Sequence, residues 1–356
     1  MLRRLLVLLA LATLALASSH PHLRDRSRLP IGVAYCNAKR NTNTSAIIDR
    51  EFSRLTSTEF YPFLLTTGPG RFRFEGADQA VSEANASKRP LHGHCLLYHL
   101  PEVCPQAWIK FHGDNREFEL MIRDYLKAVL TRYRGRVQAY DLCNELFDDK
   151  GGCASNWLRQ RFASDQEFLD FVGRCYGYAH QADPGALLFY ADYGQEFSTN
   201  GYAKGWTIAH QLMRWRRQGV PVHGYALQFH TNIYRPRQDL EESLKLAVRT
   251  GLKVAISELD VSVNLANPDA PGRGSGVQGL SSTPPEILQR QAETYRSIAH
   301  MYRRLVPPAQ QHGITLWDVG DADSWLNRYR FEAGTVFDRD YQPKPAFYGL
   351  LEGLSD

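Results

Sequence analysis

The sequence predicts an α/β protein, a single-domain (β/α)8 TIM barrel, and two observations support this prediction. Strand-like apolar runs alternate with helical segments along the chain, which is the pattern of parallel strands joined by right-handed crossovers. The length of 356 residues suits one such barrel, because this fold commonly exceeds about 250 residues. The eight runs are Ile31–Cys36, Ser57–Leu64, Leu91–Tyr98, Val137–Asn144, Leu187–Tyr193, Val222–Gln228, Lys253–Ser257 and Ile314–Val319.

Two segments between these runs carry helix signals. Asp165–Ala182 has apolar residues near helical spacing and predicts a helix. Thr283-Pro-Pro-Glu286 has the pattern of a capping box with prolines in the first turn, which predicts a helix over Ile287–Leu305. The preceding stretch, Asn264–Thr283, is rich in Pro, Gly and Ser, and is either a loop at the active face or a surface insertion.

A glycine stands shortly before five of the later runs. Glycine readily adopts the left-handed backbone angles that end many helices, so we expect one helix-to-strand turn to be used repeatedly. This repetition supports a parallel barrel. The five positions are Gly135, Gly185, Gly219, Gly251 and Gly313.

The composition limits the classes of partner. Hydrophobic residues make up 43% of the chain and aromatic residues 12%, which is enough for one large core. The net charge is only +4 and no long run of one sign occurs, which argues against a nucleic-acid-binding face. We expect residues 20–356 to form one domain of a monomeric protein.

The first residues have the pattern of a secretory signal. Met1–Arg4 is basic, Leu5–Ala17 is apolar, and Ala15-Leu-Ala17 resembles a cleavage site. The apolar run is too short to span a membrane comfortably, and no later segment is long and apolar enough. The sequence therefore predicts a signal peptide at residues 1–19 and a secreted, extracellular protein that has no membrane contact after its removal.

Export makes the six cysteines candidates for disulfide bonds. Cys95 with Cys104 and Cys143 with Cys153 are the two local options, and each would brace a loop after a strand. The alternative is a zinc site, but the chain has no CxxC pair. We therefore expect no metal.

Two glutamates mark the candidate chemistry. Glu145 closes the fourth apolar run and Glu258 closes the seventh, so both should lie at the carboxyl ends of barrel strands, where active sites of such barrels form. Hydrolysis of a glycoside needs one carboxylic acid to protonate the leaving oxygen and one carboxylate to attack or to activate water. The alternative for either glutamate alone is a salt bridge with a surface lysine or arginine.

Histidines and aromatic residues lie at the same strand ends. Trp317 and Trp325 could offer flat apolar faces to sugar rings while polar neighbours bind the hydroxyl groups. Each of these side chains taken alone could equally belong to the core. The others are His94 and Tyr98 at the third run, and Gln228 and His230 at the sixth.

Together these segments resemble glycoside hydrolase family 10, the endo-β-1,4-xylanases, from about Ile31 to Gly353. The matching motifs occur in the family's order. They are Gly-His-x-Leu-x-x-His (Gly93 to His99), Asp-x-x-Asn-Glu (Asp141 to Glu145), Asp192-Tyr193, Gln-x-His (Gln228 to His230), Glu-Leu-Asp (Glu258 to Asp260), and Trp-x-Val-x-Asp with Ser-Trp-Leu (Trp317 to Asp321 and Ser324 to Leu326).

The resemblance implies a secreted retaining endo-glycosidase that hydrolyses β-1,4-xylan without a cofactor, with residues 20–356 as its catalytic domain. It implies Glu145 as acid/base and Glu258 as nucleophile, with His230 and Gln228 suited to orienting Glu258. The side chains expected to bind the polysaccharide are Glu59, His94, Tyr98, Asn144, Tyr193, Gln228, His230, Trp317 and Trp325.

The chain also departs from the family pattern. After the second strand the family has Thr-x-Glu-Asn followed by a lysine, which hold a sugar on the glycone side, but here Phe60 and Phe63 replace the asparagine and the lysine. Asp318 stands where the family has a glycine. The other departures are Tyr98 for tryptophan, His92 for arginine, and Ala191 and Gly194 for asparagines.

Two alternatives remain open at the level of sequence. The first is a related barrel glycosidase that acts on another β-linked glucan or mixed polymer, because the fold does not settle the substrate. The second is a non-catalytic polysaccharide-binding relative. Retention of both glutamates and of their histidine and glutamine neighbours argues against the second.

Overall fold

The computed structural model describes residues 21–265 and 282–355, in which eight parallel strands close into a barrel. Each strand from β1 to β7 pairs with the next strand along the chain, and β8 pairs with β1 to close the barrel. The predicted (β/α)8 barrel is confirmed. The strands are β1 (Ile31–Tyr35), β2 (Arg54–Ser57), β3 (Leu91–Leu97), β4 (Ala139–Asn144), β5 (Leu187–Asp192), β6 (Gly224–Leu227), β7 (Lys253–Ser262) and β8 (Gln311–Trp317).

In residues 21–265 and 282–355, eight longer helices surround the barrel and bury their apolar faces against it. The predicted helix Asp165–Ala182 has the same bounds in the structure, where the Ser164 side chain caps its first turn. The helices are α1 (Thr42–Glu51), α2 (Glu75–Ala86), α3 (Asn115–Tyr133), α4 (Asp165–Ala182), α5 (Ala203–Arg217), α6 (Arg237–Arg249), α7 (Pro285–Leu305) and α8 (Pro345–Gly353).

Several shorter elements accompany the barrel strands and the longer helices. A short strand, His230–Asn232, pairs in parallel with the last residues of β7, and Thr66–Gly68 pairs antiparallel with Arg71–Phe72. The short helices are Leu23–Arg26, Pro62–Leu65 and Gln106–Ile109, and the 3-10 turns are Asn37–Lys39, Thr58–Phe60, Pro101–Val103, Arg159–Arg161, Ser198–Asn200 and Trp325–Arg328.

Three of the five predicted glycine turns form as expected. Gly135, Gly219 and Gly251 have φ angles of 71°, 77° and 68° and follow the ends of α3, α5 and α6. The prediction is wrong for Gly185, which lacks a positive φ, and for Gly313, which lies inside β8. A Cβ atom at Gly313 would lie 2.4 Å from the carbonyl oxygen just before β1, so this glycine permits close strand packing.

The second predicted strand, Ser57–Leu64, is wrong. β2 covers Arg54–Ser57, and the apolar run after it forms the 3-10 turn and the helix that begins at Pro62. Proline has no N–H for a strand ladder but fits the first turn of a helix. The true strand lacks a continuous apolar pattern because it begins with Arg54, whose buried guanidinium donates to the His312 carbonyl.

The predicted capping box at Thr283 is also wrong. The helix α7 begins at Pro285 with Pro284 as its N-cap residue, and no side chain accepts a hydrogen bond there. Pro285 at the first helical position has the fixed φ that suits a helix start, and its missing N–H needs no cap. The helix itself is confirmed.

Neither of the two local disulfide options forms in the structure, in which all six cysteines are free thiols. The expectation of a disulfide bond is therefore not supported. Cys143 packs in the apolar core, and burial raises the pKa of its thiol well above the ordinary range. Burial likewise raises the pKa of the Cys95 thiol. The thiol of Cys104 donates to the Tyr98 carbonyl oxygen at 3.0 Å.

Two sequence predictions lie wholly or mostly outside the described residues. The signal peptide at residues 1–19 is one, and the stretch 264–283 is described only at 264–265 and 282–283. Within the described part of the chain, no helix is long and apolar enough to cross a membrane.

Phe60 belongs to the core and not to the substrate cleft. Its ring is fully buried and lies edge-on to Tyr133 and Tyr140, with centroids 5.4 and 5.6 Å away. We therefore expect Phe60→Ala to lower the free energy of unfolding by about 3–5 kcal/mol, the usual loss for a buried phenylalanine. Urea denaturation measures this, with Phe63→Ala, at a partly buried site, as the control. Equal losses in the two variants would contradict the placement.

Candidate active site

The two glutamates lie at the carboxyl end of the barrel on irregular backbone. Glu145 directly follows β4 with a φ of 56°, and its N–H donates to the Ala191 carbonyl at 2.9 Å. Left-handed angles in a non-glycine residue are strained and often mark functional sites. Glu258 lies inside β7, where the pairing with β8 shifts register between Ile256 and Leu259. Such a bulge re-aims a side chain.

Glu258 is held by a chain of hydrogen bonds through His230. The Glu258 Oε2 lies 3.2 Å from His230 Nε2, and His230 Nδ1 lies 2.9 Å from Asp260 Oδ2. The indole N–H of Trp325 donates to the same Asp260 oxygen at 2.8 Å. Burial alone would lower the pKa of His230, but the Asp260 and Glu258 carboxylates outweigh it and raise this pKa to about 10. At neutral pH the imidazolium donates to both carboxylates.

The second oxygen of Glu258 lacks the hydrogen bond that the first oxygen makes. Glu258 Oε1 is buried and has no hydrogen-bond partner among the described residues. His94 Nδ1 lies 3.9 Å from it, too far for a hydrogen bond. A buried polar atom without a partner calls for an explanation. A bound ligand would supply one.

Among the described residues, the groups that hydrogen-bond to the Glu145 side chain are neutral. The Gln228 side-chain amide donates to Glu145 Oε1 at 2.9 Å and to Asn144 Oδ1 at 3.1 Å. Burial raises the pKa of the Tyr98 hydroxyl well above its ordinary value, and the adjacent Glu145 carboxylate, which this hydroxyl contacts, adds to the rise. The expectation that Gln228 orients Glu258 is wrong for the side chain. Among the hydrogen bonds of the described residues, Gln228 meets Glu258 through its backbone carbonyl, which accepts from the Glu258 N–H at 3.0 Å.

His94 is fixed from behind by Asp141. Its Nδ1 lies 2.8 Å from Asp141 Oδ2, and His92 Nε2 lies 3.0 Å from the other oxygen of that carboxylate. The Trp317 ring lies edge-on to His94, with centroids 5.3 Å apart. The polar atoms of His92, His94 and Asp141 thus contact one another. Within the described part of the chain, no group of three or more His, Cys, Asp or Glu could hold a metal ion.

Tyr193 lies beside a buried ion pair near Glu145. The Lys204 ammonium is 3.5 Å from the Tyr193 ring centroid and 2.8 Å from Asp192 Oδ1. Tyr190 donates its hydroxyl proton to the other Asp192 oxygen. Burial raises the pKa of Asp192 to about 6, Lys204 opposes this rise, and the nearby Glu145 charge adds to it.

Glu59 is directed to a neighbouring loop. Its Oε1 accepts the Asn37 N–H at 2.9 Å, in the 3-10 turn after β1. Its Oε2 packs so closely on Gly76 that a Cβ atom there would approach to 2.3 Å. The described contacts therefore place Glu59 in loop packing and do not bring it to either catalytic candidate.

Tyr61 is a site residue that the sequence analysis missed. Its ring lies edge-on to His94 at 5.5 Å, and burial raises the pKa of its hydroxyl, with the charges of Glu258 and Glu145 adding to the rise. It follows Phe60 in the altered segment after β2. The turn after β2 puts Phe60 in the core and Tyr61 beside His94, and no local sequence pattern distinguishes these two aromatic residues.

The family follows from the comparison with known proteins. A family model described as glycosyl hydrolase family 10 matches residues 22–353. The chain belongs to this family. Its barrel, its motif order and this match together confirm the resemblance found in the sequence. Retention of anomeric configuration is general in family 10.

Relatives in the family are named as xylanases. Endo-1,4-beta-xylanase A from Cellvibrio japonicus is 29% identical over 352 residues, which cover 94% of this chain and 56% of that protein. An endo-1,4-beta-xylanase from Geobacillus stearothermophilus is 29% identical over 350 residues, covering 94% and 99%. The chain thus spans little more than half of the first relative.

Solved structures of the family have the same fold. Xylanase 10C from Cellvibrio japonicus, in complex with xylopentaose, has a TM-score of 0.86 at 24% identity, covering 94% of this chain and 69% of that one. A thermostable mutant xylanase from the same organism has a TM-score of 0.82 at 26% identity, covering 94% and 99%.

The raised pKa of His230 predicts that the free energy of unfolding depends on pH through this residue. The contribution of protonated His230 to the free energy of unfolding is complete below pH 6.5, which is about the ordinary pKa of histidine. This contribution is lost as the pH rises through the raised pKa of about 10. We expect His230→Gln to lower the free energy of unfolding more at pH 6 than at pH 10. Urea denaturation at both pH values checks this, with the exposed His300→Gln as control. A loss that grows with pH would refute the assignment.

Proposed function

We propose that this chain is a retaining endo-1,4-β-xylanase in which Glu258 is the nucleophile and Glu145 the acid/base. The observation that carries this proposal is the different support of the two carboxylates. Glu258 lies against the His230 imidazolium and keeps one oxygen unpartnered, whereas Glu145 is bound by the neutral amide of Gln228.

The different surroundings suit different roles. A nucleophile must be anionic when it attacks, and a neighbouring cation favours that state. A general acid must carry a proton in the first step and accept one in the second. Neutral neighbours such as Gln228, Asn144 and Tyr98 can bind both forms of Glu145, because amides and hydroxyls both donate and accept hydrogen bonds.

The reaction then proceeds in two displacements. Glu258 Oε1 bonds to the anomeric carbon, the glycosidic bond breaks, and the departing oxygen takes the proton of Glu145. In the second step Glu145 removes a proton from water, the water oxygen bonds to the anomeric carbon, and the bond to Glu258 breaks. Two inversions at one carbon give net retention.

The proposed substrate is β-1,4-xylan. The relatives' names and the xylopentaose bound to one structural neighbour support this choice. Trp317 and Trp325 lie near His230, with ring centroids 6.0 and 4.8 Å from it, and thus can offer apolar faces beside the nucleophile. The same features would accommodate another β-linked glucan, which is the second candidate because the segment after β2 is altered.

The signal-like pattern at residues 1–19 supports secretion. An extracellular location suits an enzyme whose substrate is a polymer outside the cell. We propose that the protein acts there as a monomer and without a cofactor.

Azide rescue of the two glutamate variants tests the roles. Glu258→Ala should lose all turnover, because no glycosyl-enzyme can form. With an aryl glycoside whose leaving group needs no proton, Glu145→Ala should form the glycosyl-enzyme in a burst and then stall for want of a base. Azide should restore turnover of Glu145→Ala and give a β-glycosyl azide, detected by NMR.

Two outcomes would contradict these roles. If azide gives the β-azide with Glu258→Ala and the α-azide with Glu145→Ala, the two glutamates have exchanged functions. If both variants hydrolyse xylan at the wild-type rate, the activity belongs to other residues. The aryl glycoside also serves as a control, because Glu145→Ala should be nearly inactive on xylan itself.

The altered segment after β2 predicts weak turnover of linear xylan, which a single substitution should improve. Phe63 is partly buried and tilts against Tyr61 at 6.4 Å, whereas Phe60 is in the core. Phe63→Lys should restore a donor for a sugar hydroxyl, worth about 1 kcal/mol or roughly fivefold in kcat/KM on xylohexaose. Phe63→Met controls for loss of the ring. An unchanged kcat/KM in a folded Phe63→Lys, or an equal gain with methionine, would refute this view of the glycone side.

A further inference from the structure

The residue after β8 adopts a conformation that only a few residue types tolerate. Asp318 follows Trp317 with a φ of 70°, in the left-handed region that glycine enters freely and aspartate enters at some cost. The family pattern has glycine at this position. The chain therefore keeps the backbone turn but adds a carboxylate, and a strained residue of this kind calls for a compensating contact.

The carboxylate of Asp318 joins two loops at the carboxyl end of the barrel. The Lys39 ammonium, in the 3-10 turn after β1, lies 2.6 Å from Asp318 Oδ1 and donates to the Asp323 carbonyl at 2.8 Å. The backbone N–H of Trp325 donates to Asp318 Oδ2 at 3.0 Å. Asp318 is 6% exposed, so water competes little with these bonds.

The contact to Trp325 reaches the reactive centre. Asp318 holds the main chain of Trp325 while Asp260 holds its indole N–H at 2.8 Å. Asp260 also accepts from His230, which binds Glu258. The Trp325 ring, 4.8 Å from the His230 ring, is thus fixed at both its backbone and its side-chain ends.

We propose that Asp318 is a positioning residue that, together with Lys39, fixes the Trp325 ring as a wall of the sugar-binding cleft. A glycine at 318 would keep the turn but leave the Trp325 N–H without this acceptor. The ring would then sample more orientations and bind sugar less well. This inference rests on the proposed xylanase function, because it assigns the Trp325 ring to substrate.

Asp318→Gly is the informative variant, because glycine relieves the strained φ and should not unfold the protein. We expect the KM for xylohexaose to rise about five- to tenfold with kcat changed less than twofold, since a wall acts on ground and transition states alike. The melting temperature should change little, because glycine relieves the strain but also removes the bonds to Lys39 and to the Trp325 N–H. Asp318→Asn should retain most of the wild-type KM, because its amide oxygen can accept from the Trp325 N–H and asparagine tolerates left-handed angles.

A second measurement does not depend on activity. Acrylamide quenching of tryptophan fluorescence, taken as the difference between each protein and its Trp325→Phe counterpart, reports the exposure of Trp325. The quenching constant should rise in Asp318→Gly. The matched control is Lys88→Gly, which relieves a φ of 53° at the exposed end of α2 and should change neither the quenching nor KM.

The outcomes separate the inference from the proposed function. If the wild-type protein cleaves no xylan or related glycan, the proposed function fails and the quenching result alone decides whether Asp318 positions Trp325. The inference is overturned if Asp318→Gly leaves the quenching of Trp325 unchanged. It is also overturned if xylohexaose is cleaved and KM does not rise, or if the melting temperature falls in Asp318→Gly and KM rises equally in Asp318→Asn.

Discussion

The hydrogen bonds from Asp260 through His230 to Glu258 determine how the rest of the site is arranged. A buried carboxylate is expensive unless it is paired, and here a buried imidazolium with a pKa raised to about 10 pairs with two of them. The short strand His230–Asn232 lies in register with Asp260, which sets the His230 ring between both acids. Because Trp325 donates to Asp260 as well, the same contacts orient an aromatic wall. One network thus fixes the nucleophile and its nearest ring.

Barrel closure places the second carboxylate opposite this network. Glu145 follows β4 while Gln228 follows β6, and β5 lies between these two strands. The Gln228 side-chain amide therefore donates to Glu145, while the Gln228 backbone carbonyl accepts from the Glu258 N–H. Gln228 is a physical link between the two carboxylates, and a shift in its backbone would move both.

Local sequence patterns predicted much of this fold, but they did not predict contacts between segments that are distant in the chain. The helix Asp165–Ala182 and the end of β4 just before Glu145 follow from periodicity and from the position of apolar runs. The predicted end of the seventh run at Ser257 was too early, because β7 continues past Glu258 to Ser262. The strand predicted over Ser57–Leu64 was wrong because Pro62 begins a helix within this apolar run. As a result Phe60 packs in the core and Tyr61 lies at the site. Side-chain pairing, such as that of Gln228 with Glu145, depends on which strands become neighbours in the closed barrel, and composition carries no record of it.

The central claim is that Glu258, with its unpartnered Oε1, forms the covalent bond to the sugar. Incubation with a 2-deoxy-2-fluoro-β-xylobioside that carries a good leaving group should trap the glycosyl-enzyme. Fluorine slows both steps, and the good leaving group restores the rate of the first step only, so the covalent intermediate accumulates. Mass spectrometry of the digested protein should then find the added sugar on Glu258, and Glu258→Ala should remain unlabelled. A sugar found on Glu145, or no labelling of a protein that still cleaves the aryl glycoside, would contradict the account.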